Sequence, residues 1–360
     1  MPTPARNSMK ARRKTKTVYV GRVAVGGKNP IAVQSMTKTD TADVASTVKQ
    51  IRTLEASGCE IIRLAVPDMD AAKALGAIKQ STRIPMIADI HFDWRLALEV
   101  LRQGIDGLRI NPGNIGAKWK VKEVVAAAKD RGTPIRIGVN AGSLDKTLLR
   151  KYGHPSAEAL VESAEQHIRI LEELGFRNTK VSLKASDVPR TIEAYRLFSK
   201  KFTYPLHIGI SEAGPPSTGI IKSAVGLGIL LAEGIGDTIR VSLTADPREE
   251  VRVAYAILDS LGLRRRGVNL VSCPTCGRCK IDLRKLVAKV ESKIRGVDKP
   301  MTIAVMGCVV NGPGEAREAD VGIAGAKGRG ILFKKGKIAK TGTEKELLPL
   351  LFEEIDRWEG

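Results

Sequence analysis

The feature that most constrains this chain is a strand-then-helix rhythm repeated eight times between residues 31 and 243. Short runs with β-like patterning recur at Ile31–Met36, Glu60–Val66, Pro85–Ile90, Gly107–Ile110, Pro134–Val139, Thr179–Lys184, Pro205–Ile210 and Thr238–Leu243. Several are nearly continuous apolar segments, the pattern of parallel strands buried on both faces. The stretches between them carry helical spacing and close on glycine: Ala42–Ser57 before Gly58, Ala157–Leu174 before Gly175, Glu249–Leu261 before Gly262. Eight such units over residues 29–263 match the length of a TIM (β/α)8 barrel. The competing open, doubly wound sheet normally shows a glycine-rich phosphate fingerprint after its first strand. Here that strand ends in Gln34-Ser35-Met36-Thr37, without one. The expected class is therefore α/β, with a TIM barrel as the main body.

The rhythm stops near Leu263, and Arg264 to Gly267 form a short polar link. A small α/β domain is expected over residues 268–360. It begins around Asn269–Cys273 and continues with a helix at Ile281–Ile294 and a strand at Met301–Met306. A Gly-rich segment Gly307–Gly330, a hairpin-like Ile331–Thr341 and a final amphipathic helix Glu344–Trp358 follow. Residues 1–28 precede the barrel as an arm with eight Lys or Arg and no Asp or Glu, which carries much of the formal charge of +20. Such arms are usually solvated and disordered. Nothing in the chain has the pattern of a zinc finger, a basic zipper or an aromatic-rich RNA platform, so nucleic acid is not the expected partner. Diffuse positive charge also suits a phosphorylated substrate and an acidic electron donor. No apolar run approaches the roughly 20 residues that span a bilayer, and residues 1–20 are basic and polar, not signal-like. A cytoplasmic protein is expected.

Active sites of these barrels lie at the C-terminal ends of the strands, and there polar residues interrupt the apolar runs. They are Arg63; Asp89 and His91; Arg109 and Asn111; Arg136 and Asn140; Ser182 and Lys184; His207, Ser211 and Glu212; Arg240 and Ser242. Arg63, Arg109, Arg136, Lys184 and Arg240 would bring five cations to one mouth. Burying such charge is costly unless it is paired, and Asp89 and Glu212 cannot neutralise all five. The surplus implies an anionic ligand, most simply a diphosphate gripped by Arg. His207, inside a strand, reads equally as a core residue; His91, just past a strand end, is the better acid–base candidate.

Four of five cysteines fall in the last quarter. Cys273, Cys276 and Cys279 stand three apart, and Cys308 follows in Gly307-Cys308-Val309-Val310-Asn311-Gly312-Pro313-Gly314-Glu315. An odd, clustered count argues for metal rather than disulfides. Structural zinc usually draws on two close pairs, and Cys308 has none nearby, so spacing favours an iron–sulfur cluster. Spacing alone leaves two ligand sets open: four cysteines, giving a closed electron carrier, or three plus an oxygen ligand, leaving one iron able to bind substrate. Cys59 reads as a small packing residue.

Longer strings are more specific. Val33–Thr37, Ala88–Asp93, Leu108–Gly116, Arg136–Leu144, Glu212–Gly214, Gly236–Leu243 and both cysteine segments resemble the 4-hydroxy-3-methylbut-2-enyl diphosphate synthase family, in its compact two-domain bacterial form, over about Arg13 to Glu354. The resemblance implies a TIM barrel followed by a [4Fe–4S] domain, in a homodimer where the cluster domain of one subunit closes over the barrel of the other. It implies cluster ligands Cys273, Cys276, Cys308 and Glu315, with Cys279 outside the ligand set. The implied reaction opens the ring of 2-C-methyl-D-erythritol 2,4-cyclodiphosphate with two electrons and loss of water, in isoprenoid precursor synthesis, with flavodoxin or ferredoxin as electron donor. A carboxylate is more readily displaced from iron than a thiolate, so Glu315 would leave a position open to substrate. The expected roles are diphosphate binding for Arg63, Arg109, Arg136, Lys184 and Arg240, with hydrogen bonds from Asn111, Asn140 and Ser242. Glu212, Asp89 and His91 are candidates for proton delivery, and Asn311 for a substrate contact near the cluster. The alternatives are a pterin-type barrel transferase with a redox accessory domain, and a basic zinc-containing RNA-binding protein.

Overall fold

The computed structural model describes residues 9–279, 281–308, 314, 316–326 and 328–359, and divides them into two compact units, 1–264 and 265–360. In the first unit, eight parallel strands follow the sequence rhythm: β3 (Ala32–Met36), β4 (Ile61–Ala65), β5 (Met86–Asp89), β6 (Gly107–Ile110), β7 (Ile135–Asn140), β8 (Thr179–Lys184), β9 (His207–Ile208) and β10 (Thr238–Ile239). Their order is β8-β7-β6-β5-β4-β3-β10-β9, and a parallel bridge between Val181 and Leu206 joins the two ends. The result is a barrel. The helices around it are α1 (Val44–Ala56), α2 (Met69–Ser81), α3 (Trp94–Arg102), α4 (Lys118–Asp130), α5 (Lys146–Tyr152), α6 (Ala157–Glu173), α7 (Val188–Lys201), α8 (Pro216–Ala232) and α9 (Pro247–Ser260).

Local chemistry sets these boundaries. Asp43, Asp68, Asp93, Asp187 and Asp246 each cap a helix start by accepting a backbone N–H from its first turn. Gly58, Gly175 and Gly262 leave their helices with φ of 97°, 66° and 63°, a left-handed turn that glycine adopts without strain. Helix α9 starts at Pro247, before the expected Glu249, because Asp246 caps it and proline suits the first helical position.

The N-terminal arm departs from expectation. From residue 9 onward it is docked, not solvated. Arg12 pairs with the buried Asp237 at 2.8 Å, and Arg13 donates to the carbonyls of Phe202 and Tyr204. It then forms a hairpin, β1 (Val18–Val20) and β2 (Val23–Val25), whose Val20 and Val25 pack on Ala32, Ile61 and Ile87. Those three sit at or near the strand starts, so the hairpin closes the N-terminal end of the barrel. The basic residues concealed this because the apolar signal is only a few alternating valines.

The second unit has a five-stranded sheet, β11 (Val268–Ser272), β12 (Met301–Met306), β13 (Val321–Ala326), β14 (Arg329–Lys334) and β15 (Lys337–Gly342), in sequential order. The first three strands are parallel and the last three antiparallel. Helices α10 (Leu283–Ile294) and α11 (Glu344–Asp356) cover it, with Leu286, Val290, Ile303, Ile323, Leu347 and Leu351 in the core. Strand β13 lies inside the stretch that reads as Gly-rich. Gly322 and Gly325 are there because a Cβ on either would strike Phe333 or Ile281 within 2.3 Å.

Candidate active site

Side chains alternate across a strand, so register decides which polar residues meet inside the barrel. It pairs Asp89 with Arg109, Arg109 with Arg136, and Arg136 with Lys180, a continuous row across β5 to β8. Asp89 is buried and is the hub of this row. Its Oδ1 lies 3.2 Å from Arg109 Nη1 and 3.7 Å from His91 Nε2, and its Oδ2 lies 3.5 Å from Arg63 Nε. Arg109 also donates to the Gly138 carbonyl at 2.9 Å, while the Gly138 N–H donates to Asn111 Oδ1 at 2.9 Å. A Cβ at Gly138 would stand 2.4 Å from Arg109 Nε. The missing side chain on β7 is what lets that guanidinium lie across the strand.

A second carboxylate supports the opposite wall. Glu250, in the first turn of α9 and 1% exposed, lies 3.6 Å from Arg240 and 3.2 Å from Lys38, and accepts from Ser35 Oγ and the Leu243 N–H, each at 3.1 Å. Lys184 is buried, and a Cβ at Gly209 would fall 2.6 Å from its Nζ, so the residue just past β9 is also a glycine beneath a cation.

The five expected cations do converge. Burial presses the pKa of Lys184 well down, and Arg136, Arg240, Arg63 and Arg109 press it further. Arg240 is pushed down to about 10 by burial and Arg63, against the pull of Glu250. Arg136 is fully buried, and its Nε and Nη1 have no hydrogen-bond partner among the described residues. A guanidinium keeps its proton, so the penalty stands as a demand for an anion. Two carboxylates, Asp89 and Glu250, face Arg63, Arg109, Arg136, Lys184 and Arg240. A mouth with this surplus has the charge to suit a multiply charged anion.

Other expected residues fall into place unevenly. Burial would raise the Asp89 carboxyl, but Arg63, Arg109 and Arg136 outweigh it and hold the group below its usual range. Asp89 is thus held as a charged counter-ion near neutral pH, so a part in proton delivery would need it to take up a proton first. His91 is half-exposed; burial and Arg109 lower its pKa, so its imidazole is neutral and able to accept a proton. His207 is fully buried and pressed far down by burial and by Lys184, a neutral core residue. Asn140 ends β7 in register with Lys184, and Ser242 stands half-buried just beyond β10. Glu212 is exposed and holds φ at 49°, an uncommon conformation for a non-glycine residue. It does not neutralise the cations; Glu250 does.

Sequence reading missed Glu250 and Lys180. Glu250 sits in a stretch that reads as an ordinary acidic helix start. Lys180 was detectable, since Lys180, Ser182 and Lys184 alternate onto one face.

In the second unit, Cys273 and Cys279 both point at Gly307, the residue before Cys308. The Gly307 N–H donates to Cys273 Sγ at 3.2 Å, and a Cβ there would meet Cys279 Sγ at 2.5 Å and Cys273 Sγ at 3.4 Å. Cys276 is exposed, and hydrogen bonds from the Arg278 backbone and side chain lower its thiol pKa. Asn311 and Glu315 lie outside the described residues. Among those described, no three His, Cys, Asp or Glu side chains stand close enough to hold one metal ion. A cluster instead spreads thiolates over several irons, and Cys273 beside Gly307, the residue before Cys308, brings the two cysteine segments together as that requires.

Residues 15–255 match the GcpE TIM-barrel domain, and residues 269–357 match the GcpE protein C-terminal domain. The chain belongs to the GcpE family. Family members include the 4-hydroxy-3-methylbut-2-en-1-yl diphosphate synthase (flavodoxin) of Thermodesulfovibrio yellowstonii, 64% identical over 96% of this chain and 99% of that one. The synthase of the same name from Geobacter sulfurreducens is 63% identical over 96% and 98%. Membership in GcpE sets the pterin-transferase and RNA-binding alternatives aside. In fold, the GcpE barrel also resembles a dihydropteroate synthase from Yersinia pestis, with a TM-score of 0.50 over 68% of this chain and 98% of that one. At 12% identity that likeness is one of architecture alone.

Proposed function

We propose that this chain is a 4-hydroxy-3-methylbut-2-enyl diphosphate synthase, which reductively opens and dehydrates 2-C-methyl-D-erythritol 2,4-cyclodiphosphate in isoprenoid precursor synthesis. The observation that carries the reading is the cation-rich barrel mouth in a chain 64% identical to a synthase of that name. Arg63, Arg109, Arg136, Lys184 and Arg240 hold the diphosphate, and Asn111, Asn140 and Ser242 add hydrogen bonds that fix its orientation. The guanidiniums stabilise the negative charge that grows on the diphosphate oxygen as the ring C–O bond breaks. Glu212 and His91 are the candidates for moving protons to the departing oxygen. The strained Glu212 backbone supports a functional role, since such strain collects at working sites. Asn311 is proposed as a further substrate contact.

The cluster ligands proposed are Cys273, Cys276, Cys308 and Glu315, with Cys279 a neighbouring free thiol. When bound, a [4Fe–4S] cluster supplies the two electrons, which reach it from flavodoxin or ferredoxin; the flavodoxin in the relatives' names favours the former. The chain functions as a homodimer on this reading. Helix α8 supports it, with Ile221, Val225 and Ile229 exposed in one stripe of the kind that a partner covers. Free thiols as ligands suit the reducing cytoplasm.

Metal analysis tests the reading. Anaerobically purified protein should contain about four irons and matching acid-labile sulfide per chain, and its cluster spectrum should change when the cyclodiphosphate is added. Stoichiometric zinc without sulfide would overturn it.

A further inference from the structure

Lys180 is a buried cation that the diphosphate site does not account for. It occupies the second position of β8, directly beside Arg136 in register, at the end of the row that begins with Asp89. It is 1% exposed, and its Nζ has no hydrogen-bond partner among the described residues. The charged and titratable groups facing it are Arg136 from β7 and His207 from β9; Lys184 lies four residues along the same strand. The outward face of β8 presents Val181 and Leu183 to the helices. Among the described residues no carboxylate acts on Lys180; the nearest in the row is Asp89, three strands away.

A protonated amine here would stand desolvated beside a guanidinium that cannot lose its charge. Burial first, then Arg136, presses Lys180 down to about 7. Above neutral pH the free barrel therefore holds it mostly as a neutral amine. An anion seated on Arg136 offsets the positive field that adds to burial in keeping it neutral.

We propose that Lys180 is a positioning residue that takes up one proton from solvent when a diphosphate seats at the barrel mouth. It acts through Arg136 and does not touch the ligand. The inference rests on the diphosphate reading above and deepens it by making substrate affinity a function of pH. The direction follows from linkage. Below pH 6 Lys180 is already protonated in the free protein, and no proton is taken up there. Above pH 7 the bound state carries one more proton than the free state, so affinity falls by up to about tenfold per pH unit.

Calorimetric titration of full-length, cluster-replete protein with the cyclodiphosphate tests this, run in buffers of different ionisation enthalpy. At pH 8 the wild type should take up protons on binding, and the Lys180 share should be gone at pH 6. Lys180→Met, close in volume and lacking the amine, should lower the uptake at pH 8 by up to one proton. It should also flatten the fall in affinity between pH 7 and 9. Binding with no proton uptake at pH 8, uptake equal at pH 6 and pH 8, or uptake unchanged in the variant would each overturn the inference while leaving the diphosphate site standing. Failure to bind the cyclodiphosphate at all would overturn the site reading and this inference together. Lys180→Arg, charged in both the free and the bound state at pH 8, should lose the same share of the uptake, so the test stands if Lys180→Met does not fold; uptake unchanged in Lys180→Arg would overturn the inference.

Discussion

Replacing Asp89 with Asn keeps shape and removes one charge from the centre of the cation row. In the wild type this carboxylate lies 3.2 Å from Arg109 and 3.5 Å from Arg63, and its residue is only 7% exposed. Removing one partner of a buried ion pair costs roughly 3–5 kcal/mol, because the remaining charge stays buried and uncompensated. The Asn oxygen still accepts a hydrogen bond, so the lower end, about 3 kcal/mol, is expected. For a unit of this size that is a fall in melting temperature of about 6–12 °C. Urea unfolding followed by circular dichroism measures it, and pH supplies an internal control. The folded pKa of Asp89 is depressed, so its contribution is present above the unfolded carboxylate value of about 4 and is lost as pH falls through the folded value. The wild-type and Asp89→Asn curves should therefore diverge near neutral pH and converge in acid. Pyrophosphate should stabilise the variant more than the wild type, since two released guanidiniums then meet the anion. A variant as stable as the wild type at pH 7, or one that gains less from pyrophosphate, would refute the counter-ion role.

Gly138→Ala should weaken cyclodiphosphate binding by tenfold or more, on the order of 1.4 kcal/mol, because its Cβ would displace Arg109; Gly142→Ala, where a Cβ meets nothing within 4 Å, should not. Titration calorimetry on the pair checks it, and equal affinities would remove Gly138 from the account. His167 accepts the Gly113 N–H at 3.1 Å in the turn after Asn111, and burial lowers its pKa to about 4. Wild-type stability should thus drop as pH falls from about 6.5 toward 4, where the unfolded imidazole binds a proton and the folded one does not; His167→Gln should flatten that slope. Cys279→Ser should keep full iron and sulfide content, while Cys273→Ser, Cys276→Ser and Cys308→Ser each lose it. Cluster loss on Cys279→Ser would make that thiol a ligand.

The barrel was legible because its strands are apolar runs with a fixed rhythm, and Arg63, Arg109, Arg136, Lys184 and Arg240 were legible because charge inside such runs is costly. What balances that charge was harder to read. Glu250 comes from a helix rather than a strand, and only the folded α9 brings it to Arg240 and Lys38. Asp89 lies where the sequence puts it, but its three arginine neighbours, not its position, make it a counter-ion. The N-terminal hairpin was hidden by its basic flanks, although Arg12 and Arg13 are the residues that dock it. Gly138 and Gly209 carry no side-chain signal of their own, and only the fold shows Arg109 and Lys184 lying against them.

Anaerobic turnover tests the central claim most directly. Cluster-replete protein, given 2-C-methyl-D-erythritol 2,4-cyclodiphosphate and reduced flavodoxin or a strong chemical reductant, should form 4-hydroxy-3-methylbut-2-enyl diphosphate, with Arg136→Met abolishing it. No product from protein with a full complement of iron and sulfide would contradict the account.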